Sequence, residues 1–240
     1  MEEKNLPAKA SNVDLANLVA KAAELPGVKI DRDEFLRKEF GAPKYAGKIT
    51  DIINNGPNKA GVDRDDLLKH AKGVINFETT KATAISAATG LPGGWAMLGT
   101  IPADTAQFYG HVLRVIQKLM YLYGWQDIGS MDEGTKNILI IFLGAMSGVE
   151  VAQKAIGNLC SQISSKMTTT IAAKALTKTT LYPVVKKVCA QIGVKMTKQV
   201  FAKGVAKAVP VVGAVVSGGL TVATFKPMSH KLLKILSENS

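Results

Sequence analysis

The longest stretch without a charged residue, Ala82–Ala103, limits what this chain can fold into. Its 22 residues are enough to cross a bilayer as a helix. However, the segment GLPGG at positions 90–94 interrupts the stretch near its middle, and much of the remainder is Ala and Thr. Glycine and proline both disfavour a helix interior. The stretch therefore predicts two helical segments that meet at a glycine turn.

Helical periodicity continues on both sides of this turn, and few stretches alternate as a strand does. We expect one helix from Asp63 toward Ala88, one from Pro102 to about Tyr123, and one from Asp132 to about Ser165. Amphipathic segments follow, with lysine on their polar side. The sequence predicts an all-α fold, a multi-helix bundle with closely packed Gly/Ala-rich central helices.

The segment Ala208–Phe225 is the second long charge-free stretch. It carries small residues four positions apart, a spacing that lets two helices approach closely. We expect Pro227 to end it and a separate terminal helix to cover Ser229–Leu236. The segment either packs inside the bundle or inserts into lipid.

Composition divides the chain at about residue 60. Residues 1–60 are polar and end in the turn cluster NNGPN at positions 54–58, which predicts a small polar helical element. Residues 61–240 contain the long apolar periodic segments, and they predict a helical core with a lysine-rich C-terminal half.

Positive charge is concentrated at the C-terminal end. Residues 151–240 carry thirteen lysines, no arginine and one acid, Glu238, whereas the first 150 residues are close to neutral. A one-sided basic surface favours an anionic partner, such as nucleic acid, lipid headgroups or an acidic protein. A solvated basic surface without a partner is the alternative.

The choice of lysine over arginine favours one of these partners. Nucleic-acid sites use the planar arginine fork and stack bases on aromatic rings, which are scarce in this half. We therefore expect an anionic membrane surface or a membrane protein, and consider nucleic acid the weaker alternative. Eight lysines are the predicted contacts: Lys174, Lys178, Lys186, Lys187, Lys195, Lys198, Lys203 and Lys207.

The N-terminal sequence MEEKNLPAKA is acidic and polar, without the apolar run of a secretory signal. We therefore expect a cytoplasmic protein, positioned peripherally at the inner face of the membrane. Cys160 and Cys189 are the only cysteines, and their spacing favours two free thiols over a disulfide.

The predicted helix after Pro102 is amphipathic. One side carries apolar residues, and the other carries a polar stripe within about 140° of arc. The stripe consists of Asp104, Gln107, His111, Arg114, Gln117 and Lys118. It predicts either a polar face, solvated or between helices, or a catalytic set.

As a catalytic set, His111 would titrate, Asp104 would orient it and Arg114 would hold an anion. Glu150, within an apolar helix, is a fourth candidate, and its alternative role is to pair with Arg114 or a lysine. The sequence contains no HExxH, P-loop or GxSxG motif. No spacing of His, Cys and carboxylates suggests a metal site, and no cofactor motif is present.

Five segments resemble the bacterial EcsC family: FLRKEF (35–40), NNGPNKAGV (54–62), INFETTKATAISAATGLPGG (75–94), IPADTAQFYGHVLRVIQKLMYLYGW (101–125) and AVPVVGAVVSGG (208–219). The resemblance implies a helical protein linked loosely to membrane transport and the cell envelope, with no established catalytic activity. Its motif positions here are Glu78, Ser86, Gly90, Pro92, Asp104, Arg114, Gln117, Tyr123 and Gly124.

These observations lead to one expected function and three alternatives. We expect a non-enzymatic helical protein that associates peripherally with an anionic membrane or with a membrane protein. The first alternative is a hydrolase that acts on a lipid or anionic substrate through Asp104, His111 and Arg114. The others are a pore-forming protein built from the two charge-free segments and a nucleic-acid-binding protein.

Overall fold

The computed structural model describes residues 15–89, 103–129, 132–164, 181–192 and 210–240. Every regular element in these ranges is helical, which confirms the all-α prediction. The helices are α1 (Leu15–Ala23), α2 (Arg32–Glu39), a 3₁₀ turn (Pro43–Tyr45), α3 (Ile49–Asn55), α4 (Arg64–Thr89), α5 (Ala103–Leu122), α6 (Glu133–Met146), α7 (Glu150–Ser164), α8 (182–192) and α9 (Pro210–Glu238).

Helix α5 lies at the centre of the bundle and contacts α1, α4, α6 and α9. Its apolar side chains are inaccessible to solvent, including those of Leu113, Ile116 and Met120. Helix α4 packs along α5 on one side and along α9 on another. The apolar face predicted for α5 therefore forms the middle of the hydrophobic core.

The helices before residue 60 take part in the same core. Helix α1 packs on α5 and α6, and its Leu18 and Val19 are fully buried. Phe40, at the end of α2, is also buried, against the rings of Tyr45 and His70. The buried apolar residues of this region therefore belong to the main hydrophobic core, and its polar residues lie over them.

Two helix boundaries differ from the sequence prediction. The helix expected over 132–165 is divided into α6 and α7, because Gly148 adopts a φ of +83° that no right-handed helix contains. The break expected at Pro227 is absent, and α9 continues through it to Glu238. Proline removes one backbone hydrogen bond, but packing of α9 against α4 holds the helix together.

Helix α4 is described as far as Thr89 and α5 from Ala103, and the residues between them are not described. The glycine turn at 90–94 lies outside the described residues and stays a prediction. The side chains of 210–220, which contain the small-residue spacing, are likewise outside the description. In the part of the chain that is described, no helix is both long and apolar enough to span a bilayer.

Two glycine turns meet where α3 and α5 end. Gly56 has a φ of +89° and a ψ of 157°, a conformation open almost only to glycine. A Cβ atom added to Gly56 would lie 2.8 Å from the Cα of Gly124. Both the backbone conformation and the close approach therefore exclude a side chain at Gly56.

We predict that Gly56→Ala lowers the free energy of unfolding by roughly 1–3 kcal/mol, because it adds backbone strain and a steric overlap. Urea unfolding followed by circular dichroism measures this change. The control is Gly73→Ala on α4, where an added Cβ meets nothing within 4 Å. This control should be neutral or stabilising, by up to about 1 kcal/mol. Equal stability of the two variants would contradict the assigned turn.

Candidate functional site

A groove of about 580 Å³ lies between α4, α5 and the loop after α1. The loop residues 25–28 form one wall. Lys81 and Ala84 of α4 form the second, and α5 contributes the third through Gln107, His111 and Arg114. The three α5 residues in its lining all belong to the predicted polar stripe.

Two of the lining side chains, His111 and Arg114, bond to Glu78, a carboxylate of α4 with no solvent exposure that is not itself part of the lining. His111 Nδ1 lies 2.8 Å from Glu78 Oε2. Arg114 Nε donates to both carboxylate oxygens, at 3.1 and 3.2 Å, and Lys118 Nζ donates to Oε1 at 2.6 Å. Three basic side chains at positions i, i+3 and i+7 of α5 thus share one acid. We call these four residues the Glu78 cluster.

The cluster keeps Glu78 ionised. Burial alone raises the pKa of this carboxyl group, because a low-dielectric environment disfavours charge. Hydrogen bonds from His111, Lys118 and Arg114, together with the charge of Lys118, outweigh burial and lower the pKa from 4.5 to about 2. At neutral pH the acid is therefore charged, and its two permanent cations leave the cluster with a net positive charge.

The loop wall is fixed to α5 by two further side chains. The buried amide of Gln117 accepts from Ile30 N at 3.0 Å and donates to Val28 O at 2.9 Å. Arg114 Nη1 donates to the carbonyl of Gly27. Arg114 therefore bridges the buried acid and the loop wall, and it shares with Gln117 the attachment of this loop to α5.

His111 is the side chain with acid–base potential in the groove. Its Nδ1 is engaged by the Glu78 carboxylate, which leaves Nε2 as the ring nitrogen available to the groove. A carboxylate on one imidazole nitrogen fixes the orientation and the tautomer of the ring. The Glu78–His111 pair can thus either hydrogen-bond an anion or take a proton from a bound water.

The predicted catalytic candidates are only partly brought together. His111 and Arg114 line the groove side by side. Asp104 is a residue of α5, but its side chain lies outside the description. Glu150 does not join the groove: it is exposed in the first turn of α7 and pairs with Lys154 at 2.7 Å, which is the lysine pairing given as its other role.

The described motif positions of the EcsC resemblance lie in two parts of the structure. Glu78, Arg114 and Gln117 meet at the groove, whereas Tyr123 and Gly124 lie at the far end of α5, beside the Gly56 turn. Gly90, Pro92 and the side chain of Ser86 are outside the described residues.

Sequence reasoning missed that Glu78, rather than Asp104, is the described partner of His111. A signal was present in α4: Ala71, Val74, Ile75 and Ala82 are buried at helical spacing, and Glu78 occupies the same stripe. A carboxylate in an apolar stripe requires cations from a neighbouring helix. The α5 stripe supplies them.

The predicted lysine contacts are described at two positions. Lys186 and Lys187 are exposed on α8, whose other side buries Val185, Val188 and Ile192. The remaining six lysines, at 174, 178, 195, 198, 203 and 207, lie outside the described residues.

No group of three or more His, Cys, Asp or Glu side chains that could hold a metal ion occurs in the described ranges. Comparison of the chain with protein-family models, with curated proteins and with solved structures gives no match. The resemblance to the EcsC family therefore stays a prediction.

We predict that Glu78→Gln lowers the free energy of unfolding by about 3–5 kcal/mol at pH 6, because it leaves buried cations without their counter-charge. Chemical unfolding monitored by circular dichroism tests this. The control is Glu150→Gln, which removes an exposed acid and should leave the transition unchanged. Equal effects of the two substitutions would contradict a stabilising role for the cluster.

Comparison of the wild type with Glu78→Gln also yields a prediction about the pH dependence of stability. The pKa of Glu78 is lowered in the folded state, so between pH 4.5 and about 2 the unfolded chain binds the proton first. The stability advantage of the wild type over Glu78→Gln should be complete above pH 4.5 and disappear as the pH falls to about 2. Unfolding curves across this range measure it, and an advantage that does not depend on pH would contradict an ionised Glu78.

Proposed function

We propose that this chain associates peripherally with anionic membrane surfaces and that the mouth of the groove is part of the contact. The observation that carries this proposal is an exposed aromatic side chain beside the basic groove. Phe77 is 52% exposed, and Lys81 Nζ lies 4.6 Å from its ring centroid. Lys118 Nζ lies 5.2 Å from the same ring.

An exposed ring beside an exposed lysine, Lys81, matches the requirements of a membrane interface. Aromatic side chains prefer the headgroup level, and basic residues near an anionic leaflet contribute about 1 kcal/mol each. In the folded protein without a membrane, Phe77 leaves apolar area in water, so contact with lipid would bury it.

The lysine-rich C-terminal half supports the same proposal. Its net charge of +12 produces long-range attraction to an anionic surface, and Lys186 and Lys187 present two of these charges on α8. The EcsC resemblance, with its link to the cell envelope, agrees with a position at the inner face of the membrane.

Flotation of the purified protein with vesicles tests the proposal. We expect binding to vesicles that contain anionic lipid, little binding to neutral vesicles, and loss of binding in high salt. Phe77→Ser should weaken binding severalfold, whereas Phe77→Leu should retain most of it, because the apolar surface is preserved. Absence of binding to anionic vesicles at low salt would contradict the proposal.

A second candidate function is hydrolysis of an ester or phosphoester of an anionic substrate. The Glu78–His111 pair at the groove wall favours it, because His111 Nε2 could take a proton from an attacking water while Arg114 holds the anion. The described residues supply no nucleophile hydrogen-bonded to His111, so water would be the attacking group.

For this candidate we predict measurable turnover of chromogenic carboxylic or phosphate esters that is lost in His111→Gln. Circular dichroism must first establish that this variant is folded. Equal turnover by the wild type and by folded His111→Gln would exclude the groove as the catalytic site.

A further inference from the structure

We propose that the groove is a specific binding site for one phosphate group carried on a glycerol-type headgroup. The inference deepens the proposed membrane function and rests on it, since general surface attraction requires no such site. It concerns the interior of the groove, whereas the membrane proposal concerns Phe77 and the exposed lysines; Lys81 belongs to both.

Three donors are arranged to face a bound anion. Lys81 contributes an exposed ammonium group from α4. Arg114 uses Nε on Glu78 and Nη1 on Gly27, and its Nη2 has no hydrogen-bond partner among the described residues. His111 contributes Nε2. Because these donors come from two helices, they approach a ligand in the groove from different directions, which suits the oxygens of a phosphate.

The charge balance of the groove favours an anion. Glu78, the carboxylate that holds His111 and Arg114, is paired with Arg114, Lys118 and His111 and is fully buried. No acidic side chain is among the described residues that line the groove. A bound phosphate would therefore meet Lys81 and the surplus charge of the Glu78 cluster, with no exposed carboxylate beside it.

The size and walls of the groove argue for more than inorganic phosphate. A volume of about 580 Å³ lies within the range typical of small-molecule sites, roughly 300–1,000 Å³. Leu25, Pro26, Val28 and Ala84 provide apolar wall next to the donors. A phosphate with an attached glycerol and the first part of an acyl chain uses both kinds of surface.

The donors are also held in place before any ligand binds. Glu78 restrains all three basic side chains of α5, and the Gly27 carbonyl restrains Arg114 a second time. Side chains that are already ordered lose little conformational entropy on binding. The buried acid therefore acts as the positioning group for an anion site that it does not itself contact.

Calorimetric titration of the full chain tests the inference with soluble probes. The probes are sn-glycerol 3-phosphate, dihexanoyl phosphatidate and dihexanoyl phosphatidylcholine, each kept below its micelle concentration. We expect binding of a phosphate-bearing anionic probe and much weaker binding of the zwitterionic phosphatidylcholine. Tight binding of dihexanoyl phosphatidate alone identifies a lipid headgroup as the ligand, and equally tight binding of glycerol 3-phosphate identifies a soluble phosphoester.

A pair of nearly isosteric variants controls for changes in folding. Ala84 is exposed on the groove wall, so Ala84→Glu and Ala84→Gln differ in charge but hardly in shape. Ala84→Glu should weaken binding at least about tenfold, while Ala84→Gln should stay within about threefold. Lys81→Gln should weaken binding severalfold, and Lys72→Gln, an exposed lysine on the opposite side of α4, should not.

The outcomes separate this inference from the membrane proposal. Vesicle flotation that persists while neither anionic probe binds would overturn the groove inference and leave the membrane proposal standing. Probe binding with the predicted variant pattern, but without flotation, would support the groove and contradict the membrane proposal. Equal binding of the probes to Ala84→Glu and Ala84→Gln would overturn the groove inference.

Discussion

The buried carboxylate of Glu78 is the interaction on which the rest of the site depends. An ionised acid in a bundle interior is strongly unfavourable unless cations and hydrogen bonds compensate it. Helix α5 provides three such partners on one stripe, and this fixes the rotation of α5 relative to α4. The same stripe holds the loop after α1 through Gln117 and Arg114. Glu78 and the α5 stripe together thus stabilise the helix pairing and the position of the loop that forms one wall of the groove.

The chemical character of the groove follows from the pairing of Glu78 with His111, Arg114 and Lys118. Because Glu78 is occupied and unexposed, the side chains that remain accessible in the groove are cationic or neutral. Such a groove suits recognition of an anion, and the exposed Phe77 beside Lys81 adds an apolar element at its edge. Headgroup recognition and hydrolysis both use this arrangement. They differ in whether His111 only donates a hydrogen bond to the ligand or also accepts a proton from water.

Much of the fold was predictable because apolar periodicity reports directly on which helix face is buried. This holds for α4 and α5, whose bounds match the prediction closely. Two helix boundaries could not be predicted from the local sequence. Helix α9 continues through Pro227 because it packs against α4, and no charge pattern marks the turn at Gly148 that separates α6 from α7. Only part of the site could be predicted from the sequence. His111 and Arg114 stood out on one stripe, but their partner Glu78 lies 33 and 36 residues away, and pairing between helices cannot be deduced from the spacing within one helix.

The most direct test of the central claim is an NMR map of the wild-type chain titrated with dihexanoyl phosphatidate. The claim is that the Glu78 cluster organises a groove that binds an anionic headgroup. It predicts saturable shifts of the backbone amides of Gly27, Val28, Lys81, Ala84 and Gly110 and of the His111 ring, with smaller changes at Lys186 and Lys187. Shifts confined to the exposed lysines, or spread over the surface without saturation, would contradict it.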